Sequence, residues 1–228
     1  MTAPGVIERL AAALDEDGLI LRGGFVFGAH EWAPAGLSGR PARSIILVGQ
    51  AGAAPWPFFL RWLERQESRC LSDPLDTWSG EVIGNAARQV SARAVSPSDK
   101  PYLPFQQWAM RAEGLKPSPL GILMHPEFGL WHAYRGALLF DRELPIRPAE
   151  KTIHLCERCN GKPCLNACPV GAFSNAGYAH ADCLAHVRGA DGVRCRTAGC
   201  IARNACPYAA AYRYPADAQA FHMASFAA

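Results

Sequence analysis

Eight of the nine cysteines in the chain stand close together near its C-terminal end, between Cys156 and Cys206. The first four are separated by two, four and three residues and end in Cys168-Pro169, and the last cysteine also precedes a proline. Closely spaced thiolates with a proline after the final one are typical of 4Fe-4S ligation. The ninth, Cys70, stands alone and is expected to be a buried apolar thiol.

Eight thiolates are the number that two 4Fe-4S clusters require. In two-cluster ferredoxins the cysteine before proline ligates the other cluster. Under that rule, the first cluster would take Cys156, Cys159, Cys164 and Cys206. The second would take Cys168, Cys183, Cys195 and Cys200. The spacings are longer than in the compact ferredoxin pattern, so other partitions stay open, and structural zinc is the alternative use of paired thiolates.

Composition limits the classes of partner and compartment. The chain has 228 residues, of which 50% are hydrophobic and 19% are charged, so it can bury a core. The net charge is only +3, and the basic residues form no long run. This pattern predicts no nucleic-acid partner. Charged residues in the first 18 positions exclude a secretory peptide, and the apolar runs are too short to cross a membrane. We therefore expect a cytoplasmic protein without disulfides.

Hydrophobic periodicity predicts the elements that must position these thiols. Helices are expected at 6–14, 57–66 and 76–95. Strands are expected at 19–27, 45–48, 120–124 and 136–140. The predicted fold class is α+β, with a sheet domain at 1–150, a proline-rich linker near its end, and a small ferredoxin-like domain at 151–228 whose tail, 209–228, docks against the rest.

Three blocks of the larger part resemble a known family. Leu71–Asp76, Gly121–Trp131, which contains His-Pro-Glu-Phe-Gly, and Ala133–Leu139, which contains Tyr-Arg-Gly, are similar to segments of the cobalamin-processing protein of the methylmalonic aciduria type C family. That resemblance implies a nitroreductase-related, flavin-reductase-like sheet domain that binds cobalamin. It also implies removal of the upper cobalt ligand, cyanide or alkyl.

A second resemblance joins the two parts of the chain. Ala112-Glu-Gly-Leu115 followed by eight cysteines resembles epoxyqueuosine reductase and the reductive dehalogenases. Those relatives pair a cobalamin domain with two 4Fe-4S clusters. The acidic proton donor expected in epoxyqueuosine reductase has only Asp99 near its position in this chain.

The resemblances also imply which residues contact cobalamin. Gly121 would let the backbone approach a large flat ligand, and Arg135 could donate two hydrogen bonds to an amide, phosphate or carboxylate. The complete implied set is Tyr102, Gln106, Gly121, Ile122, His125, Gly129 and Arg135. A turn-capping role for His125 is the alternative to a cobalamin contact, and Phe128 and Trp131 are expected in the core.

The sequence therefore predicts an oxidoreductase in which two 4Fe-4S clusters pass electrons to cob(III)alamin and expel its upper ligand. An external flavoprotein or ferredoxin reductase would supply the electrons. No catalytic acid or base is identified. One alternative is a cobalamin-dependent reductase of an organic substrate, like epoxyqueuosine reductase. The other is a non-enzymatic cobalamin chaperone or ferredoxin.

Overall fold

The computed structural model describes residues 3–66, 71–149, 154–174 and 177–228, so Cys70 lies outside the described residues. The contacts of the chain divide it into two compact units. One comprises the described parts of Met1–Gly114 and Ala133–Thr152, and the other those of Leu115–His132 and Ile153–Ala228. The predicted single division at residue 150 differs from these units at Leu115–His132, because that segment packs with the cysteines.

The described helices and strands alternate along the first half of the chain and become short in the second. The helices are α1 (Ala3–Asp15), α2 (Trp56–Glu64), α3 (Pro74–Gln89), α4 (Phe105–Glu113), α5 (Pro163–Asn166), α6 (His180–Arg188), α7 (Val193–Ala198), α8 (Ile201–Asn204) and α9 (Ala216–Ala227). The strands are β1 (Ile20–Val26), β2 (Ser44–Ala51), β3 (Arg93–Val95), β4 (Lys116–Pro117), β5 (Leu123–Met124), β6 (His132–Phe140), β7 (Phe173–Ser174) and β8 (Gly177–Tyr178). This mixture confirms the predicted α+β class.

The first unit is built on a four-stranded sheet in the order β1-β2-β6-β3. The pairs β1–β2 and β3–β6 are antiparallel. Strand β2 is central and buried along nearly all of its length, as expected for its run of branched apolar residues. Helix α1 packs against β1 and α3, and it buries Val6, Leu10 and Leu14, which recur at helical spacing on one face.

A buried ion pair ties three elements of this unit together. Arg22 on β1 is 1% exposed and donates two hydrogen bonds, of 2.9 and 2.8 Å, to the carboxylate of Glu113 on α4. The hydroxyl of Tyr134 on β6 donates to the same carboxylate. Burial raises the pKa of Tyr134 well above its usual value, so the phenol keeps its proton.

The sequence prediction and the structure differ after α3. The predicted helix over 76–95 ends at Gln89, and Arg93–Val95 forms the edge strand β3. The reason is local: Ser91 adopts a left-handed conformation with φ of 55°, and the N–H of Ala92 returns to the carbonyl of Ala87. Helix α4, which the sequence analysis did not predict, follows the proline-rich stretch.

The predicted strands at 120–124 and 136–140 lie in different sheets. The second is the C-terminal half of β6, whereas the first contributes only β5, which pairs with β4 in a separate hairpin. Gly121 closes this hairpin with φ of 76°, and its N–H donates to the carbonyl of Ser118 at 2.9 Å. Much of the apolar run is therefore turn and not strand.

In the second unit, short helices and turns follow one another around the cysteines. Helix α9, in the predicted docking tail, packs against α6 and α7 within this unit. A hairpin of β7 and β8 stands between the fourth and fifth of the eight clustered cysteines. None of the helices in the described ranges is both long and apolar enough to cross a membrane.

Two glycines of the first unit give a matched test of the fold. A Cβ on Gly49, in β2, would stand 2.2 Å from the carbonyl oxygen of Ala133, whereas one on Gly80, in α3, meets nothing within 4 Å. We expect Gly49→Ala to destabilise the protein by about 1–3 kcal/mol through overpacking. Gly80→Ala should stabilise it by about 0.5–1 kcal/mol, because helical glycine loses more entropy on folding. Thermal melting of both variants checks this, and an unchanged melting temperature for Gly49→Ala would contradict the strand packing.

Candidate metal centre

Three of the eight clustered cysteines lie in the hydrophobic core of the second unit. Cys156 lies in a 3-10 turn at Leu155–Arg158, Cys164 lies in α5, and Cys206 follows α8. Their side chains are buried against Leu120, Met124 and Leu130, and Cys159 is half-buried. We call Cys156, Cys159, Cys164 and Cys206 the first thiol group.

The members of the first thiol group act on one another electrostatically. Burial is the largest cause that raises the pKa of Cys156 to about 11. Negative charge on Cys206, Cys164 and Cys159 also contributes to this rise. Burial also raises the pKa of Cys206, and the neighbouring thiols add a smaller effect in the same direction. Such thiols are protonated at neutral pH without a metal, and bound iron would displace their protons.

The other four cysteines line one cavity of about 210 Å³. Cys183 lies on α6, Cys195 on α7, and Cys200 directly precedes α8. Burial raises the pKa of Cys195, and the charges of Cys183 and Cys168 act in the same direction. We call Cys168, Cys183, Cys195 and Cys200 the second thiol group. The rule that the cysteine before proline ligates the other cluster assigns the same members to two clusters, and both this partition and the ligation of iron stay predictions.

Backbone amides are directed at the sulfurs of both groups. The N–H of Ala172 donates to the Cys168 sulfur at 3.3 Å. Further backbone hydrogen bonds reach Cys164 from Leu165, Cys195 from Ile201, Cys200 from Ala202 and Arg203, and Cys206 from Tyr208. Because such donors stabilise negative charge on sulfur, they favour thiolate ligands and tune the potential of an iron-sulfur cluster.

Tyr178 is a functional residue that the sequence analysis missed. Its hydroxyl donates a hydrogen bond to the Cys183 sulfur, and burial, followed by this bond, raises the pKa of Tyr178 well above its usual value. The ring stacks on Phe173 across the β7–β8 hairpin with centroids 4.9 Å apart. Only the position of Tyr178 in this hairpin brings it to the thiol, since the two are five residues apart in sequence.

Lys162 is a second residue that was missed. It adopts a left-handed φ of 38° between Gly161 and Pro163, in the stretch that lengthens the spacing from Cys159 to Cys164. Its Nζ donates to the carbonyl of Cys156 at 3.0 Å, and its charge lowers the pKa of that thiol, against the larger effect of burial. The four residues between Cys159 and Cys164, more than in the compact ferredoxin pattern, were the feature of the sequence that could have indicated this residue.

Among the residues with described placement, no three His, Cys, Asp or Glu side chains lie close enough to hold one ion. Four-iron clusters and structural zinc both stay predictions for these thiols.

The residues implied to contact cobalamin are divided between the two units. Gly121, Ile122, His125 and Gly129 belong to the second unit. A Cβ on Gly121 would meet nothing within 4 Å, so its turn has open space beside it. Ile122 lines the cavity of the second thiol group.

His125 and Gly129 have structural roles within the second unit. The Nδ1 of His125 accepts the N–H groups of Glu127 and Phe128, both at 3.1 Å, and the ring stacks on Phe128. These two hydrogen bonds correspond to the turn-capping role that the sequence offers as the alternative to a cobalamin contact. A Cβ on Gly129 would lie 3.0 Å from the carbonyl oxygen of Tyr208, so a glycine permits that approach.

Tyr102, Gln106 and Arg135 belong to the first unit. Tyr102 is 72% exposed, and Gln106 lies exposed in the first turn of α4. The Nε of Arg135 on β6 donates to the side-chain oxygen of Gln50 at 2.7 Å, which orients the guanidinium. The carboxylate of Asp99 accepts the N–H of Ser96 at 2.8 Å and stabilises its own loop.

Comparison with solved structures identifies the fold. A selenomethionine-labelled epoxyqueuosine reductase matches 96% of this chain and 69% of its own, with a TM-score of 0.58 and 14% identity. Epoxyqueuosine reductase with an epoxyqueuosine-modified tRNA-Tyr stem loop matches 93% and 66%, with a TM-score of 0.54 and 16% identity. Epoxyqueuosine reductase from Bacillus subtilis matches 93% of this chain and 67% of its own, with a TM-score of 0.51 and 16% identity. This chain thus spans about two thirds of their length and shares their fold.

These comparisons correct two expectations. The prediction of no nucleic-acid partner is contradicted, because a protein of this fold is bound to a tRNA stem loop. They support the resemblance to epoxyqueuosine reductase but give no support to the type C family, the dehalogenases or a nitroreductase-like sheet. No family model and no curated protein matches the chain.

The thiol groups can be tested by removing one ligand from each. Anaerobically reconstituted wild-type protein should hold about eight irons, and Cys159→Ser or Cys183→Ser should each lose about four, because a 4Fe-4S cluster uses four thiolates. Iron and acid-labile sulfide analysis measures this. Cys70→Ser is the control and should keep all the iron. Equal loss from the control, or zinc in place of iron, would contradict the assignment.

Removing the hydroxyl of Tyr178 tests the contact with Cys183. A hydrogen bond to sulfur stabilises the reduced, more negative cluster, so Tyr178→Phe should lower the midpoint potential of one cluster and leave the other unchanged. Redox titration monitored by electron paramagnetic resonance separates the two. Tyr212→Phe, which loses a bond to Glu127 at the surface, is the matched control. An unchanged potential in Tyr178→Phe would refute the contact.

Proposed function

We propose that the protein is an iron-sulfur, cobalamin-dependent reductase of an organic substrate. The observation that carries the proposal is the pair of four-thiol groups in a chain with the fold of epoxyqueuosine reductases. Two clusters in one small unit suit stepwise transfer of single electrons. An oxidoreductase needs such a path when its donor and its substrate react at different places.

The residues present fit two 4Fe-4S clusters. The first thiol group would hold one, among buried apolar side chains, and the second would hold the other in its cavity. Amide hydrogen bonds at Cys168, Cys195 and Cys200 and the hydroxyl of Tyr178 would stabilise negative charge at the second cluster. Lys162 would do so at the first.

Cobalamin, when bound, supplies a strongly reducing metal centre that accepts single electrons. One feature of the first unit supports its binding: Arg135 presents an oriented guanidinium that can donate to the amides or phosphate of such a ligand. Tyr102, Gln106, Gly121 and Ile122 remain proposed contacts on the strength of the resemblance.

The substrate class to test first is a modified tRNA nucleoside. A protein with the same fold over 93% of this chain has been captured with an epoxyqueuosine-modified stem loop. Asp99 is the acidic residue nearest the position of the proton donor implied by the resemblance, and it lies exposed in a loop where a substrate can reach it. We propose it as the donor in the reduction.

Removal of the upper ligand of cob(III)alamin was the main expectation from the sequence, and the comparisons favour the organic-substrate alternative over it. The two reactions differ in the fate of cobalamin. A reductase of an organic substrate reuses one bound cobalamin for many turnovers. A ligand-removing enzyme instead converts one cobalamin in each turnover, and a chaperone or ferredoxin converts none.

A turnover experiment separates these functions. Protein loaded with iron, sulfide and cobalamin is reduced photochemically and given an epoxyqueuosine-containing stem loop, with nucleosides measured by mass spectrometry. We expect several product equivalents for each protein, and a loss of at least about tenfold for Asp99→Asn if proton donation contributes as general acids do. Cys183→Ser is the control lacking a cluster. Multiple turnovers with cyanocobalamin and none with RNA would instead show ligand removal.

A further inference from the structure

A second cleft of the second unit, of about 380 Å³, has no role in the function proposed above. Two arginines, Arg194 on α7 and Arg213 after the turn at Ala210–Tyr212, stand among its lining residues. The rest of the lining is small or uncharged: Ala198, Gly199, Ile201, Asn204 and Ala205. The cleft is therefore positively charged, and no acidic side chain is among the described residues that line it.

Neither arginine is neutralised within the described residues. The ion pairs found there involve Arg22, Arg43, Arg111 and Lys116. Both cleft arginines are exposed, and Arg213 donates to the backbone carbonyl of Asn204 at 2.9 Å, which positions its guanidinium without cancelling its charge. Two exposed cations at one cleft attract an acidic partner, since their charges are not satisfied internally.

The cleft lies beside both thiol groups. Its lining includes the residues on either side of Cys200 in the sequence, Gly199 and Ile201, and the residue before Cys206. Arg194 directly precedes Cys195 in the sequence. The cleft thus borders segments that carry thiols of both groups.

The wall of the cleft is rigid. The side chain of Asn204 donates to the carbonyl of Ala198 at 3.0 Å and to the side-chain oxygen of Gln219 on α9 at 2.7 Å. Gln219 is 8% exposed and donates in turn to the carbonyl of Tyr214 at 2.9 Å. The segment that carries Cys200 is therefore fixed, as a surface for rapid electron transfer should be, because little reorganisation is then needed on docking.

We propose that the cleft between Arg194 and Arg213 is the docking site of a small acidic electron-carrier protein, which places its redox group beside the two clusters. The inference rests on the proposed function, because it needs the clusters. In each encounter, the carrier would lose one electron and a bound 4Fe-4S cluster would gain it, so that the cluster would pass from the 2+ to the 1+ state. Carboxylates of the carrier pair with the two guanidinium groups.

An acidic protein fits this cleft better than RNA does. An electron donor must come close to a cluster, because electron transfer slows steeply with distance, and this cleft borders the segments that carry both thiol groups. The exposed side chain of Val193, 52% accessible beside Arg194, adds an apolar contact suited to a protein surface. Charge attraction would accelerate the encounter and make its rate dependent on salt.

The test compares reduction by an acidic flavodoxin with reduction by photoreduced deazaflavin, a small uncharged reductant. The protein is loaded with both clusters, and the loss of their visible absorption is followed by stopped flow. For Arg194→Glu combined with Arg213→Glu, we expect the second-order rate with flavodoxin to fall at least tenfold and to lose most of its salt dependence. The rate with deazaflavin should change less than twofold.

Arg158→Glu is the matched control, since Arg158 is also exposed and next to a cysteine but does not line the cleft. It should keep the flavodoxin rate within twofold. Equal losses in the control and the cleft variant would overturn the proposal, as would loss of RNA binding with an unchanged flavodoxin rate. Failure of the proposed function would look different: iron would be absent, or deazaflavin would not reduce the wild-type protein.

Discussion

The structure of the second unit depends on one electrostatic constraint: eight buried or half-buried sulfurs would have to carry negative charge as metal ligands. Thiolates cannot be buried without compensation, because the desolvation of a charge is costly. In this unit the compensation comes from backbone amides directed at sulfur, from Lys162 and from the hydroxyl of Tyr178. Bound iron would supply the rest. The short helices follow from this requirement, since each one brings a cysteine and its neighbouring amides to a group.

The same constraint accounts for the position of the segment Leu115–His132. Its apolar side chains Leu120, Met124 and Leu130 form the core around the first thiol group, and Ile122 lines the cavity of the second. Gly121 turns the hairpin, and Gly129 makes room for the backbone of Tyr208. The block that suggested a cobalamin site in the sequence is thus part of the thiol unit. Arg135, a few residues later, belongs to the sheet.

Local patterns were sufficient for several predictions. Periodicity predicted α1 and the buried strand β2. Contacts that depend on the tertiary fold could not be predicted from local patterns. Nothing local in Leu120–Met124 tells that this apolar run leaves the sheet, and nothing near Tyr178 tells that its hydroxyl meets Cys183. Net charge was misleading, because the prediction of no nucleic-acid partner that it supported is contradicted by a protein of the same fold bound to a tRNA stem loop.

The central claim is that this chain joins two 4Fe-4S clusters to cobalamin. Electron paramagnetic resonance of the anaerobically purified protein with added cob(II)alamin, together with metal and sulfide analysis, tests it most directly. The account predicts about eight irons and as many sulfides for each chain, two cluster signals on reduction, and a cobalt signal without coupling to the nitrogen of the lower base. Zinc in the thiol groups, or a cobalt signal identical to that of free cob(II)alamin, would contradict it.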